Sequence, residues 1–408
     1  MKKTLIAVAA AAALTATSAF AEITFGAWLR SALIPVAYDG EDYLGGLTQS
    51  WGGAARTAVL GVNGVSEDGM AGFTFEIRNQ AGEGINMGDR TVAWLKPIEQ
   101  LKLSVGKFDG GDNGFRQGTG FGVWDYVRPS ATTSLFFHGD EGLMDAIGGD
   151  GFMAEIFPIE GFKVMVNVPF LSMINKEDKA DNYVPEYKDG KWGAVLDKEP
   201  GVQHAYDIYK KTQIGAAYTI DGVGELKVLW TNVSEEIEIG TKKYNDVGNL
   251  GIAFNLSAVE NLNLAIGAKF DISDKEIDPD GNKAYFATKA SYNVSDAITF
   301  NMVGGIKLFK DDDIDPKWGI GAGVDYVVMD GLTVNADIRY MSETKYDGNG
   351  LEDDSLSFLV AAAKTIGSNA SLGVGFEGAT NGGGFAPIKA AKSDAFTWCI
   401  PVMINLSF

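Results

Sequence analysis

The sequence has 408 residues, 54 acidic side chains against 34 basic ones, and a formal net charge of −20. That acid excess argues against nucleic acid as a partner, and a single cysteine excludes an intramolecular disulfide. A chain this long suggests two or three soluble domains unless one closed sheet absorbs it.

Residues 1–21 read as a cleaved secretory signal. Lys2 and Lys3 form the charged start, Leu5 to Leu14 the apolar run, and Ala19-Phe20-Ala21 a small-x-small cleavage site. The apolar run is too short for a membrane helix, which needs about 20 residues. The mature chain is then 22–408, one domain, and loses two positive charges with the signal.

Runs of period-two alternation follow, which is the strand period. They fall at 22–32, 54–64, 70–80, 88–96, 101–108, 150–157, 161–169, 212–220, 225–234, 247–257, 262–271, 284–294, 297–308, 317–327, 331–342, 355–365, 370–379 and 396–408. The linkers alternate between short and long. The short ones have turn chemistry, as in Glu67-Asp68-Gly69, Asp221-Gly222-Val223-Gly224 and Gly367-Ser368-Asn369. Outer-membrane barrels have short periplasmic turns and longer external loops. Eight short turns join eight hairpins, and one strand at each end makes eighteen; sixteen remains open if one weak pair is misread. The expected fold is all-β, a transmembrane antiparallel up-and-down β-barrel. A soluble β-sandwich is the rival, but its strands usually run to about five or six residues.

The last strand carries the sharpest pattern. Phe396, Trp398, Ile400, Val402, Ile404, Leu406 and Phe408 are apolar at alternate positions. Pro401 between them cannot donate a ladder bond, so a bulge or weakened pairing is expected there. A terminal Phe408 with Leu406, Ile404 and Val402 before it resembles the C-terminal signal of bacterial outer-membrane barrels. The resemblance implies that the barrel assembly machinery reads this segment and that the protein resides in the outer membrane, against lipid.

With the apolar face toward lipid, the other face lines the interior. Its bases are Arg30, Arg78, Lys102, Lys163, Lys227, Lys269, Lys289, Lys307 and Arg339; its acids are Glu76, Glu155, Asp271, Asp325, Asp337 and Glu377. The faces of 54–64 and 88–96 are ambiguous. Unpaired buried charges are costly, so this interior cannot be a dry core, and a tube this wide is not filled by its own side chains. The expected function is a pore whose charged lining sets selectivity, with some charges pairing across the wall only to hold its shape.

The third external loop, about 109–149, is long and mixed in charge. In position, length and charge type it resembles the third loop of the general diffusion porins. In that family this loop folds into the barrel and opposes wall bases. The resemblance implies an eyelet in which Asp109, Asp112, Asp125, Asp140, Glu141 and Asp145 face some of Arg30, Arg78, Lys102 and Arg339. It also implies a homotrimer. The alternative is a surface loop that never enters the pore.

Loop 170–211 carries Tyr183, Tyr187, Trp192, Tyr206 and Tyr209. It is a candidate to cap the mouth, latch a neighbour or bind something outside. An acidic stretch including Asp278, Asp280 and Asn282 has hard oxygen ligands at alternate positions, but lacks the distant bidentate Glu of a full calcium loop. A solvated tip is the plainer reading, and no metal or cofactor is expected. His138 and His204 lie in separate loops, and no hydrolase or phosphate-binding motif is present. An enzyme is not expected. Nor is a plugged iron-uptake receptor, since no plug domain precedes Glu22. The expected activity is passive diffusion of ions and small hydrophilic solutes. A substrate-selective sugar or carboxylate channel, or a surface adhesin using loop 170–211, are the rivals.

Overall fold

The structure, a computed structural model, describes residues 22–47, 57–80, 85–109, 115, 147–169, 183–188, 191–196, 212–231, 235–239, 242–274, 281–342, 354–381, 391–392 and 394–408. The first strands are β1 (Glu22–Tyr38), β2 (Tyr43–Leu47), β3 (Thr57–Val65), β4 (Ala71–Gln80), β5 (Ile85–Ile98), β6 (Leu101–Phe108), β7 (Gly149–Ile159) and β8 (Phe162–Pro169). Next come β9 (Tyr183–Lys188), β10 (Lys191–Leu196), β11 (Gln213–Ile220), β12 (Gly224–Thr231), β13 (Glu235–Ile239), β14 (Lys242–Asp246), β15 (Asn249–Leu256) and β16 (Leu262–Asp271). The last are β17 (Asn282–Ser295), β18 (Ile298–Phe309), β19 (Lys317–Met329), β20 (Leu332–Met341), β21 (Ser355–Ile366), β22 (Ala370–Ala379) and β23 (Thr397–Ser407).

Nineteen of these share one antiparallel sheet, and eighteen close it into a barrel. The first and last strands seal it: Arg30 stands opposite Asn405 and Leu29 opposite Leu406. Phe408 donates its backbone N–H to the carbonyl of Ala27 (2.8 Å) and accepts from the Ala27 N–H (2.9 Å). Full closure leaves no bare edge, which a lipid-facing sheet requires. The nineteenth strand, β2, folds back on the outer end of β1.

All eighteen expected strands are present and the count is eighteen, not sixteen. Five further strands were not read from the sequence. β2, the hairpin β9–β10 inside loop 170–211 and the hairpin β13–β14 are five or six residues long. Elements that short hold too few alternations to register as a period, and Pro185 interrupts β9.

The eight short turns lie at one end. In the first, the Ser66 hydroxyl donates to Asp68 (2.6 Å), the Met70 N–H donates to the same carboxylate (2.9 Å), and Gly69 takes a left-handed φ of 67°. Asn261 does the same job at φ 62° in another turn, as asparagine tolerates that region. At Pro401 the pairing is disturbed as expected. The ladder to β22 skips from Val374 to Glu377, and the ladder to β1 changes register between Leu33 and Val36.

The two faces separate cleanly. Ile266, Met302, Ile338, Val360 and Ile404 point outward, each about half exposed. Their alternate neighbours Ala265, Asn301, Asp337, Arg339, Leu359 and Met403 point inward and are buried. The described inner wall is not charged throughout. Met153, Met165, Leu229, Tyr285, Val303 and Met341 form an apolar lining with Ala217, Ala253, Ala265 and Ala287, and Phe115 and Ile147 pack on it. The charges occupy other parts of the same wall. Small alanines alternating with polar residues hid this apolar patch.

Candidate functional site

The lumen is the candidate site, and its geometry follows from the pleat: every second residue of eighteen strands meets at one surface. On β6 and β7 the Lys102 ammonium lies 2.7 Å from Glu155. On β12 Lys227 lies 3.0 Å from Glu225. Lys163 of β8 stands in the electrostatic field of all four of these groups, and its ammonium sits 5.3 Å from the ring of Phe115. Three lysines and two glutamates thus form one arc across β6, β7, β8 and β12.

Half the ring away lies an arc richer in acids. Asp325 of β19 accepts from Asn301 (2.6 Å) and from Asn335 (2.9 Å), and Ser291 donates to Asn301 (2.6 Å). Asp337 and Arg339 of β20 pair at 3.2 Å, both almost fully buried. Glu377 of β22 is buried and accepts a weak bond from the Cys399 thiol at 3.6 Å. Buried ions are costly unless paired, and Asp337 and Arg339 supply each other's partner.

The other expected wall bases are also inward. Arg30 donates from Nε to Asn405 (3.1 Å) and lies 5.1 Å from the Trp28 ring. Lys307 lies 5.8 Å from the ring of Tyr285, which stands between it and Lys269 in the ladder. Arg78 faces Val59 and Asn86, and Lys289 faces Ala265 and Val303.

Arg90 is a wall base that the sequence reading missed. It reaches Glu76 (3.0 Å) with one nitrogen and Asp109 (3.0 Å) with another. It lies in the stretch whose faces could not be assigned. The register of β4 against β5 slips between Phe75 and Ile77, so strict alternation breaks there. A second trace was available: Gly88 sits beside Glu76, where a Cβ would come within 2.4 Å of the Glu76 Cβ. The pairs Lys310–Asp271 (2.7 Å) and buried Lys317 were missed as well; both lysines lie at strand ends beside acidic linkers.

Of the third-loop acids, Asp109 is on the inner wall, bonded to Arg90. Asp112, Asp125, Asp140, Glu141 and Asp145 lie outside the described residues, as do Asp278 and Asp280 of the weak cation candidate and the segment 1–21. Asn282 begins β17. Two apolar residues of the same loop are placed. Phe115 and Ile147 are fully buried against the inner face of β11, where a Cβ on Gly215 would lie 2.5 Å from Ile147 Cδ1 and 2.6 Å from Phe115 Cε1. Val402, Ile404 and Leu406 lie on the outer stripe of β23 at the seam, and Phe408 follows the strand, bonded through its backbone to Ala27.

No protein-family profile and no curated protein sequence matches the chain. Solved structures match its fold. An anion-selective porin from Comamonas acidovorans aligns over 95% of this chain and 99% of its own, with a TM-score of 0.53 and 14% identity. OccK11 (OpdR) of Pseudomonas aeruginosa aligns over 96% and 97%, with a TM-score of 0.57 and 9% identity. The outer membrane protein opdK from Pseudomonas aeruginosa aligns over 96% and 99%, with a TM-score of 0.55 and 10% identity. The shared property at these identities is the fold, a porin-type barrel.

Proposed function

We propose that this porin-fold barrel is an outer-membrane channel for passive diffusion of ions and small hydrophilic solutes. The observation that carries the reading is the inner wall itself. It bears ion-paired lysines and arginines on a tube whose outer face is apolar. Such a lining is expensive in a sealed core and useful along a water path. A channel rather than an enzyme is the reading that these residues support.

The third loop narrows the pore in this reading. Phe115 and Ile147 support an inward fold because both rest on inner-wall residues, and Asp109 supports it through its bond to Arg90. The remaining loop acids would then meet wall bases across a gap and give a transverse field. Signal cleavage after Ala21, recognition of the Phe408 strand by the assembly machinery, and a homotrimer complete the proposal. A selective channel is the second reading, favoured by the structured charge arcs on the wall.

The test is single-channel conductance of the refolded protein in planar bilayers, with reversal potential across a salt gradient. Large ohmic steps are expected. Silence from a correctly folded barrel would overturn the channel and favour a surface or structural role.

A further inference from the structure

Near each end of the third loop one residue meets the inner wall, and both meet it at the same place. The register of β8, β11 and β12 builds the wall there in three rungs. The upper rung sets Asn167 beside Gln213, the middle one aligns Met165, Gly215 and Leu229, and the lower one Lys163, Ala217 and Lys227. Neighbouring strands stand about 4.8 Å apart. Gly215 has no side chain, so the middle rung carries a slot between two large, buried apolar side chains.

Phe115 and Ile147 fill that slot. They lie 32 positions apart in sequence, and both are fully buried. A Cβ on Gly215 would come within 2.5 Å of Ile147 Cδ1, 2.6 Å of Phe115 Cε1 and 2.8 Å of Phe115 Cζ. Carbon atoms pack at about 3.5–4.0 Å, so the slot is occupied and has no room for a wall side chain as well.

The upper rung holds the backbone of the same loop. Gly148 donates its N–H to Gln213 Oε1 (3.0 Å), and its carbonyl accepts from Asn167 Nδ2 (2.8 Å), which also donates to Gln213 Oε1 (3.0 Å). A backbone group with no ladder partner needs such bonds. Gly149 then turns the chain from this foot into β7 at a left-handed φ of 101°. From the lower rung the Lys163 ammonium lies 5.3 Å from the Phe115 ring, within cation–π range.

We infer that Gly215 is a positioning residue for the pore. With Gln213 and Asn167 it forms a socket that pins both ends of the third loop to the inner wall and so sets the bore of the channel. A side chain at position 215 takes the room of Phe115 and Ile147, and the loop loses its seat. The inference rests on the channel reading above and names the residues that hold its narrow part.

The experiment sizes the channel of the reconstituted full chain by salt conductance and by the largest polyethylene glycol that enters it. Gly215→Leu fills the socket from the wall. The double variant Phe115→Ala with Ile147→Ala empties it from the loop, and serves alone if Gly215→Leu does not fold. These changes are opposite in volume and alike only in unseating the loop. Each should raise the conductance and admit polymers that the wild-type channel excludes. Wild-type conductance and polymer cut-off in both variants, with the barrel folded, overturn the socket and leave the channel standing. So does a lower urea midpoint with an unchanged cut-off, which would make Gly215 a packing residue only, or a narrower pore in either variant. No salt current from the wild type overturns the channel reading, and the socket with it.

Discussion

At the scale of single residues, Arg90 shapes the local field by pairing with both Glu76 and Asp109. Arg90→Gln removes the guanidinium that stands between these two carboxylates. The channel should become more cation-selective, read as a shift of the zero-current potential toward the cation limit. Glu76→Gln should shift it the other way; two variants with the wild-type potential would remove this triad from the conduction path. The short turn at Asp68 gives a pH prediction. The Ser66 hydroxyl, and after it the Met70 N–H, hold the Asp68 carboxyl below its ordinary value. A carboxyl depressed in the folded state favours folding above its unfolded pKa, about 3.9. That contribution is lost as pH falls through the lower folded value. Asp68→Asn should therefore abolish the part of the acid sensitivity that belongs to this turn, seen as a flatter urea midpoint below about pH 4. An unchanged profile would place the acid sensitivity elsewhere.

At the scale of elements, the barrel is held shut by the pairing of β1 and β23. That seam is weakened at Pro401, where β1 changes register and the β22 ladder skips two pairs. The lower end of the seam is therefore important. Deleting Phe408 removes both bonds to Ala27, each worth about 0.5–1.5 kcal/mol net. The refolded protein should unfold at a modestly lower urea concentration. If the assembly machinery reads this strand, the yield in cells should fall much further than that loss of stability explains. Equal, modest effects in both settings would leave Phe408 as a plain ladder residue.

At the scale of the whole molecule, the wall bases named above outnumber the wall acids while the chain carries −20. The surplus acids therefore belong to the connections rather than to the wall. Screening length grows from about 3 Å at 1 M salt to about 30 Å at 0.01 M. Cations should then gather at the mouth, so conductance should fall less than in proportion to salt, with rising cation preference. Strict proportionality down to the lowest salt would show that the loop acids stand away from the path. The fold itself tolerates this because the closed sheet satisfies its backbone bonds within the wall, leaving lumen and loops open to variation.

The sequence by itself determined where the strands run, with sixteen still open against eighteen, most of their faces and the common end of the short turns. Those properties are written in a local period of two residues and in turn chemistry, and both can be read from neighbours in the chain. Only the tertiary structure decided which charges meet. Arg90 joins Asp109 across nineteen positions, and Lys227 joins Lys163 and Glu155 in one arc. Such meetings depend on register and on a slip between β4 and β5, and one residue of slip changes every partner and face. The seat of Phe115 and Ile147 on the wall beside Gly215 was likewise decided by shape, by a glycine whose missing side chain makes the space.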